Sequence, residues 1–141
     1  MEFSQCINFL LTSAQHKVFQ EVSTRLAPYD VTPVQYGVLL CLWQNECKTP
    51  KEIAGKLQLE NSTISGILER MEKKGLIQRQ VSPADRRFVE IVLTEKGAEL
   101  KEPILAIVDK TNEDVLAQMA PEQQEALKAA LRTLAGIGID Y

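Results

Sequence analysis

The spacing of apolar residues changes period twice along this chain, and no other feature limits the fold as tightly. From Ile7 to Met71 they recur at three- and four-residue steps. Between Ile77 and Leu93 they fall into two short β-rich runs, and after Thr94 the helical step returns. A chain with this pattern is mainly α-helical with one β-hairpin inserted in it. Ile7, Leu10, Leu11, Ala14, Val18, Val22 and Leu26 share one face of a first helix. Pro28 closes that helix, because proline disfavours helical geometry at the residue before it and has no N–H to donate.

Two start signals of one kind follow. Thr32-Pro33-Val34-Gln35 and Thr49-Pro50-Lys51-Glu52 each supply a capping threonine, a proline suited to the first helical position, and a Gln or Glu that can complete a capping box. The first predicts a helix to Asn45 that is apolar almost all round (Val34, Val38, Leu39, Leu40, Leu42, Trp43) and therefore central. The second opens a short helix burying Ile53, Ala54 and Leu57. Asn61 is expected to cap a further helix through Lys74, with Ile64, Ile67, Leu68 and Met71 inward and Gly75 as its stop.

Two short helices across a tight turn make a helix-turn-helix. The runs Ile77 to Val81 and Phe88 to Leu93 flank Ser82-Pro83-Ala84-Asp85-Arg86-Arg87, a polar turn with a basic tip. Together they predict a winged helix-turn-helix over residues 32–98. Residues 1–31 and 99–141 would be dimerisation helices. In the C-terminal part Ile104, Val108, Val115 and Met119 share a face, and Pro103 predicts a kink or a split. Pro121 restarts a last helix with Leu127, Leu131 and Leu134 inward, ending at Gly136-Ile137-Gly138 before an apolar tail containing Ile139 and Tyr141. Apolar stripes on both terminal helices, and an apolar tail where chain ends are usually polar, predict a two-fold homodimer.

At 141 residues, 45% of them hydrophobic and 25% charged, the chain is of single-domain size and ordinary globular composition. No apolar run reaches the ~18 residues of a membrane span, and no leader pattern opens the chain, so a cytoplasmic protein without a membrane partner is expected. Three cysteines make no disulfide framework, and a single histidine excludes a zinc site of several imidazoles. No cofactor is expected. The net charge of −3 hides an uneven distribution. Residues 48–101 hold 11 bases against 8 acids, a net +3, whereas the rest of the chain holds 5 bases against 11 acids, a net −6. A basic centre between acidic ends suits a protein that meets a polyanion with its middle.

That polyanion is expected to be double-stranded DNA. An α-helix fits the major groove, and its N-terminal residues meet base edges there. Asn61, Ser62, Thr63 and Ser65 are small hydrogen-bonding side chains at that end of the predicted helix. Gly66 permits close backbone approach, and Arg70, two turns in, can reach a guanine edge or a phosphate. At the wing Arg87 is suited to the negative potential of a narrow minor groove, with Arg86 and Arg79 toward phosphates.

The run Asn61-Ser62-Thr63-Ile64-Ser65-Gly66-Ile67-Leu68-Glu69-Arg70-Met71-Glu72-Lys73-Lys74-Gly75-Leu76-Ile77 resembles the recognition helix of the MarR family of bacterial transcriptional regulators. Asp85-Arg86-Arg87 resembles that family's Asp-x-Arg wing signature, and Leu93-Thr94-Glu95-Lys96-Gly97 its sequel. The resemblance covers nearly the whole chain. It implies a regulator, most simply a repressor, that binds a pseudo-palindromic operator as a homodimer, with Asp85 holding the Arg87 guanidinium in a fixed fork. It also implies a small aromatic effector near the dimer interface, for which Phe9, His16, Tyr29, Tyr36, Leu40 and Trp43 are the candidate lining; each is equally a core residue. Some relatives sense organic peroxides through a cysteine early in the first helix. Counted back from Tyr36, that position falls on Asn8, and Cys6, two residues away, is turned by about 200° on a helix. Cys6 and Cys47 remain the candidate redox residues, with Cys47 expected to be the more exposed and Cys41 buried.

Two other classes compete. A thiol enzyme would need Cys6 or Cys47 beside His16, but ten helical residues put Cys6 and His16 about 15 Å apart. No phosphate loop, nucleophile elbow or metal cluster supports one either. A winged helix used for protein contact would bind duplex DNA without the steep salt dependence of phosphate contacts.

Overall fold

The computed structural model describes residues 1–138; the expected tail residues Ile139 and Tyr141 lie outside the described residues. After a short 3₁₀ turn at Phe3–Gln5, helix α1 spans Ile7–Leu26 and a second 3₁₀ turn carries Pro28. Helices α2 (Pro33–Trp43), α3 (Pro50–Leu57) and α4 (Asn61–Lys73) follow, then strands β1 (Ile77–Val81) and β2 (Val89–Leu93). Helices α5 (Glu95–Glu99), α6 (Lys101–Leu116) and α7 (Pro121–Ala135) complete the order.

Local chemistry accounts for most of these boundaries. At Thr32 and Thr49 both capping boxes form. The Thr32 hydroxyl accepts from Gln35 N while Gln35 Oε1 accepts from Thr32 N, and Glu52 answers Thr49 in the same way. The α4 helix stops at Gly75, whose φ of 76° costs glycine nothing. The split expected from Pro103 falls at Leu100, between α5 and α6. Proline has no N–H for the Glu99 carbonyl and its ring crowds that turn, so the backbone breaks there.

The core is built around α2, where Val38, Leu39, Cys41, Leu42 and Trp43 are buried. Against it pack Leu26 of α1, Ile53 and Ala54 of α3, Ile64, Ile67, Leu68 and Met71 of α4, Ile77 and Ile91 of the hairpin, and Ile104 of α6. The strands pair antiparallel from Ile77 opposite Leu93 to Val81 opposite Val89. Ile91 extends the sheet by donating to the Lys48 carbonyl at 2.7 Å. Alternation on β2 buries only Ile91, because the end of the hairpin projects past the core and leaves Phe88 and Val89 exposed.

The apolar stripe of α7 finds no cover among the described residues of a single chain. Leu127, Leu131 and Leu134 were assigned inward, yet α7 buries no residue and these leucines are 37%, 41% and 65% exposed. They line an apolar groove of about 780 Å³ with Ile7, Leu10, Leu11 and Val18 of α1, and none of the described residues of one copy covers it. A helical stripe gives the direction of burial but not the molecule that supplies the other face.

Candidate nucleic-acid interface

The turn between α3 and α4 is short, with Gln58 in the left-handed region at φ 58°. It delivers the start of α4 to the surface. Asn61, Ser62, Thr63 and Ser65 are exposed there, while Ile64, Ile67 and Leu68 root the helix in the core. Asn61 is not the cap that its side chain suggested. It is the first helical residue, the capping position belongs to Glu60, and no side chain bonds the first turn. The positive end of the helix dipole is therefore left toward solvent, where a phosphate is favoured. A Cβ built at Gly66 would meet only the Arg70 guanidinium nitrogens, at 3.8 Å, so nothing inside the protein requires glycine there. Arg70 is exposed and forms no ion pair among the described residues.

The wing tip is organised by Ser82, a residue whose part in the site was not read from the sequence. Its buried hydroxyl donates to Glu90 at 3.0 Å and accepts from the amides of Ala84 and Asp85 at 3.3 Å. This serine turn aims Asp85 at Arg87. Asp85 Oδ1 accepts from the Arg87 backbone N–H and Nε, both at 3.0 Å, and Oδ2 accepts from Nη2 at 2.7 Å. The side-chain bonds to Arg87, followed by the backbone bond, hold the Asp85 carboxyl below the usual carboxylate range. The same side-chain bond raises Arg87. Arg87 thus points in one direction while staying 83% exposed, and its guanidinium lies 5.9 Å from the Phe88 ring centroid. Arg86 is exposed beside it. Arg79 behaves differently, because it pairs with Glu72 and donates to the Ser65 carbonyl at 3.4 Å, which ties β1 to α4 instead of reaching outward.

The six candidate effector residues do not converge on one cavity. Trp43 is buried with its indole N–H on the Gly97 carbonyl at 3.0 Å, and Tyr36 packs near it, ring centroids 6.4 Å apart. Leu40 packs against the same core. Phe9 lies on the surface against Phe3, and His16 and Tyr29 are also exposed. None of the six lines the apolar groove. Cys6 is half-buried at the N-terminus of α1. Cys47 is corrected from exposed to buried, since the loop after α2 folds back and sets its thiol against the Glu52 carbonyl at 3.6 Å. Burial and the neighbouring Cys47 push the Cys41 thiol up to about 11. Among the described residues no group of three or more His, Cys, Asp or Glu could hold a metal, and no helix is long and apolar enough to cross a membrane.

Residues 31–89 match the family model described as MarR family. Over 134 residues the chain is 36% identical to the organic hydroperoxide resistance transcriptional regulator of Bacillus subtilis, covering 95% of this chain and 90% of that one. The chain belongs to the MarR family. Solved MarR-fold structures superpose over almost its whole length. The transcriptional repressor CouR bound to a 23-mer DNA duplex gives a TM-score of 0.85 at 30% identity, covering 94% of each chain. The Staphylococcus aureus MepR–DNA complex gives 0.83 at 29% identity, covering 93% of this chain and 97% of that one. The protein is thus a winged-helix transcriptional regulator of the MarR type and not an enzyme, with duplex DNA as the partner of its class.

Proposed function

We propose that this MarR-type regulator is a homodimeric repressor of a pseudo-palindromic operator. Each α4 enters a major groove and each wing places Arg87 in the adjoining minor groove. The observation that carries this reading is the Asp85–Arg87 fork: a guanidinium fully charged, held in direction by donating its Nε and Nη2 to the Asp85 carboxylate, and still 83% exposed. Such an arrangement costs side-chain entropy in advance and is useful when the arginine has a fixed target. Asn61, Ser62, Thr63 and Ser65 read base edges, Gly66 admits the backbone, Arg70 and Arg86 reach phosphates, and Arg79 keeps the wing at its angle to α4.

Residues 32–98 act as the DNA-binding lobe, and 1–31 with 99–141 as the dimerisation part. The uncovered apolar faces of α1 and α7 support that division. Release of DNA follows a signal received between the terminal helices. A small molecule is one form of it: the related CouR of Rhodococcus jostii is bound to p-coumaroyl-CoA in its crystal structure. An oxidant acting on Cys6 is the other. It is favoured by the name of the Bacillus subtilis relative and by Cys6 being the one cysteine that is not buried.

Selection of bound sequences from random duplex DNA tests the proposal. Two inverted half-sites about 34–36 Å apart are expected, bound with an affinity that falls steeply as salt rises. Absence of an enriched duplex, or binding indifferent to salt, overturns it in favour of protein contact.

A further inference from the structure

We propose that Lys74 is a positioning residue: it fixes the angle of the recognition helix to the rest of the subunit by bolting the C-terminal end of α4 to the elbow between α1 and α2. The inference rests on the DNA-binding reading above and adds to it how the spacing of the two recognition helices is held.

The ammonium of Lys74 has three donors, and three oxygens face it. Nζ donates to the Asp30 carbonyl at 2.7 Å and to Gln35 Oε1 at 2.9 Å, and lies 3.4 Å from Asp30 Oδ1. Asp30 can offer both its carbonyl and its carboxylate because it sits in the left-handed region, at φ 54°. Gln35 is buried, and its Oε1 is already fixed by the capping box at Thr32. Gln35 is thus held from both sides, while Asp30 contributes chiefly through its backbone carbonyl, its carboxylate being 86% exposed. The other side of the joint is equally defined, since the Lys74 carbonyl accepts from Lys96 Nζ at 3.0 Å and the Gly75 carbonyl accepts from Thr94 Oγ1 at 2.6 Å. The last turn of α4 is therefore clamped between the elbow that ends α1 and the segment that opens α5.

Position in the chain gives the joint its consequence. The α1 helix carries more than half of the uncovered apolar face, and Arg25, its penultimate residue, pairs with Asp114 of α6 at 2.8 Å. A shift of α1 and α6 moves Asp30, and Asp30 holds the end of α4. With ordinary packing alone α4 could pivot about Leu68 and Met71; a three-acceptor ammonium removes that freedom.

The test uses the full-length protein, the duplex recovered by selection, and duplexes with one base pair added to or removed from the centre. One base pair shifts a half-site by ~3.4 Å and rotates it by about 35°. The wild type should lose at least about a hundredfold in affinity, as for two mismatched positions, on either altered duplex. Lys74→Met keeps the stem and removes the donors; it should lose less than about tenfold on the same change, the equivalent of one mismatch. Lys74→Arg, which keeps the charge and can fork to both acceptors, should restore the wild-type ratio. Equal spacing discrimination in wild type and Lys74→Met overturns the proposal. Hydrogen exchange without DNA separates this failure from that of the DNA-binding reading. The amides of residues 30–36 should exchange at least several-fold faster in Lys74→Met than in Lys74→Arg, and equal rates overturn the joint whatever the DNA result. Faster exchange in a protein that binds no duplex overturns the DNA-binding reading and, with it, the role given to the joint.

Discussion

Gly66→Ala separates a folding role from a binding role at one position. Glycine inside a helix costs about 1 kcal/mol relative to alanine, because it gives up more backbone freedom on folding. The new methyl would meet only the Arg70 guanidinium nitrogens at 3.8 Å, an ordinary contact with the end of a flexible side chain. The variant should therefore be more stable by about 1 kcal/mol per subunit, which for a chain of this size raises the thermal midpoint by roughly 3 °C. On DNA the sign reverses. A methyl at the helix face that meets the duplex holds the backbone away and loosens every contact beside it. A loss of about 1.4 kcal/mol per half-site corresponds to tenfold per subunit, hence about a hundredfold for a two-fold complex. Scanning calorimetry and fluorescence anisotropy on the selected duplex at fixed salt read the two effects. A variant that gains stability and binds within twofold of wild type would refute the idea that glycine is there for the duplex. A loss of stability would refute the open space described around it.

Five other outcomes follow from the geometry. Arg87→Ala should weaken operator binding at least tenfold, with the salt slope reduced by about 1 per arginine removed. In the wild type the Asp85 carboxyl is held below its ordinary range, so the fork is fully present above that range and is lost as pH falls through the lower folded value; carboxyl-detected NMR should show the midpoint rise in Arg87→Ala. Gly97→Ala should cost about 3 kcal/mol or more, read from the urea midpoint, since its Cβ would lie 2.2 Å from the Leu76 carbonyl oxygen, a backbone atom that cannot swing away. Iodoacetamide at pH 8 should label Cys6 alone, because Cys41 and Cys47 are buried and the Cys41 thiol titrates near 11; peptide mass spectrometry checks it. Leu131→Asp removes an apolar contact that occurs twice in a two-fold dimer, at about 2 kcal/mol each, so sedimentation should show the dimer weakened at least about a thousandfold.

Elements with a strong local signal were legible in the sequence. The two Thr-Pro capping boxes, the Gly75 stop and the break before Pro103 lie within a few residues of the groups that cause them, and each is present. The Asp85–Arg87 fork was legible for the same reason, with a partner two residues away. What escaped depends on how the chain folds back between elements. Arg79 was expected at phosphates, but the turn after α4 brings it back against Glu72, seven residues earlier, and that pair holds it. Cys47 looked exposed because it lies just past the end of α2, and only the return of the loop onto α3 buries it. Lys74 appeared to be one more charge in a basic run until Asp30 and Gln35, 44 and 39 residues away, came into reach. The leucines of α7 differ, since their stripe is genuine but the described residues of one chain supply no surface opposite it.

The sole tryptophan offers an optical gauge at no cost in labelling. Trp43 is 7% exposed and anchored by its indole N–H to Gly97, at the seam between the central helix and the segment that leaves the wing. Emission from such a ring is sensitive to water entry and to loss of that one bond. A rearrangement that opens the seam would redden the spectrum, whereas one that swings the lobes as rigid bodies would leave it unchanged. Titrating unlabelled protein with duplex or candidate inducer can therefore tell internal loosening from whole-lobe rotation in a single cuvette.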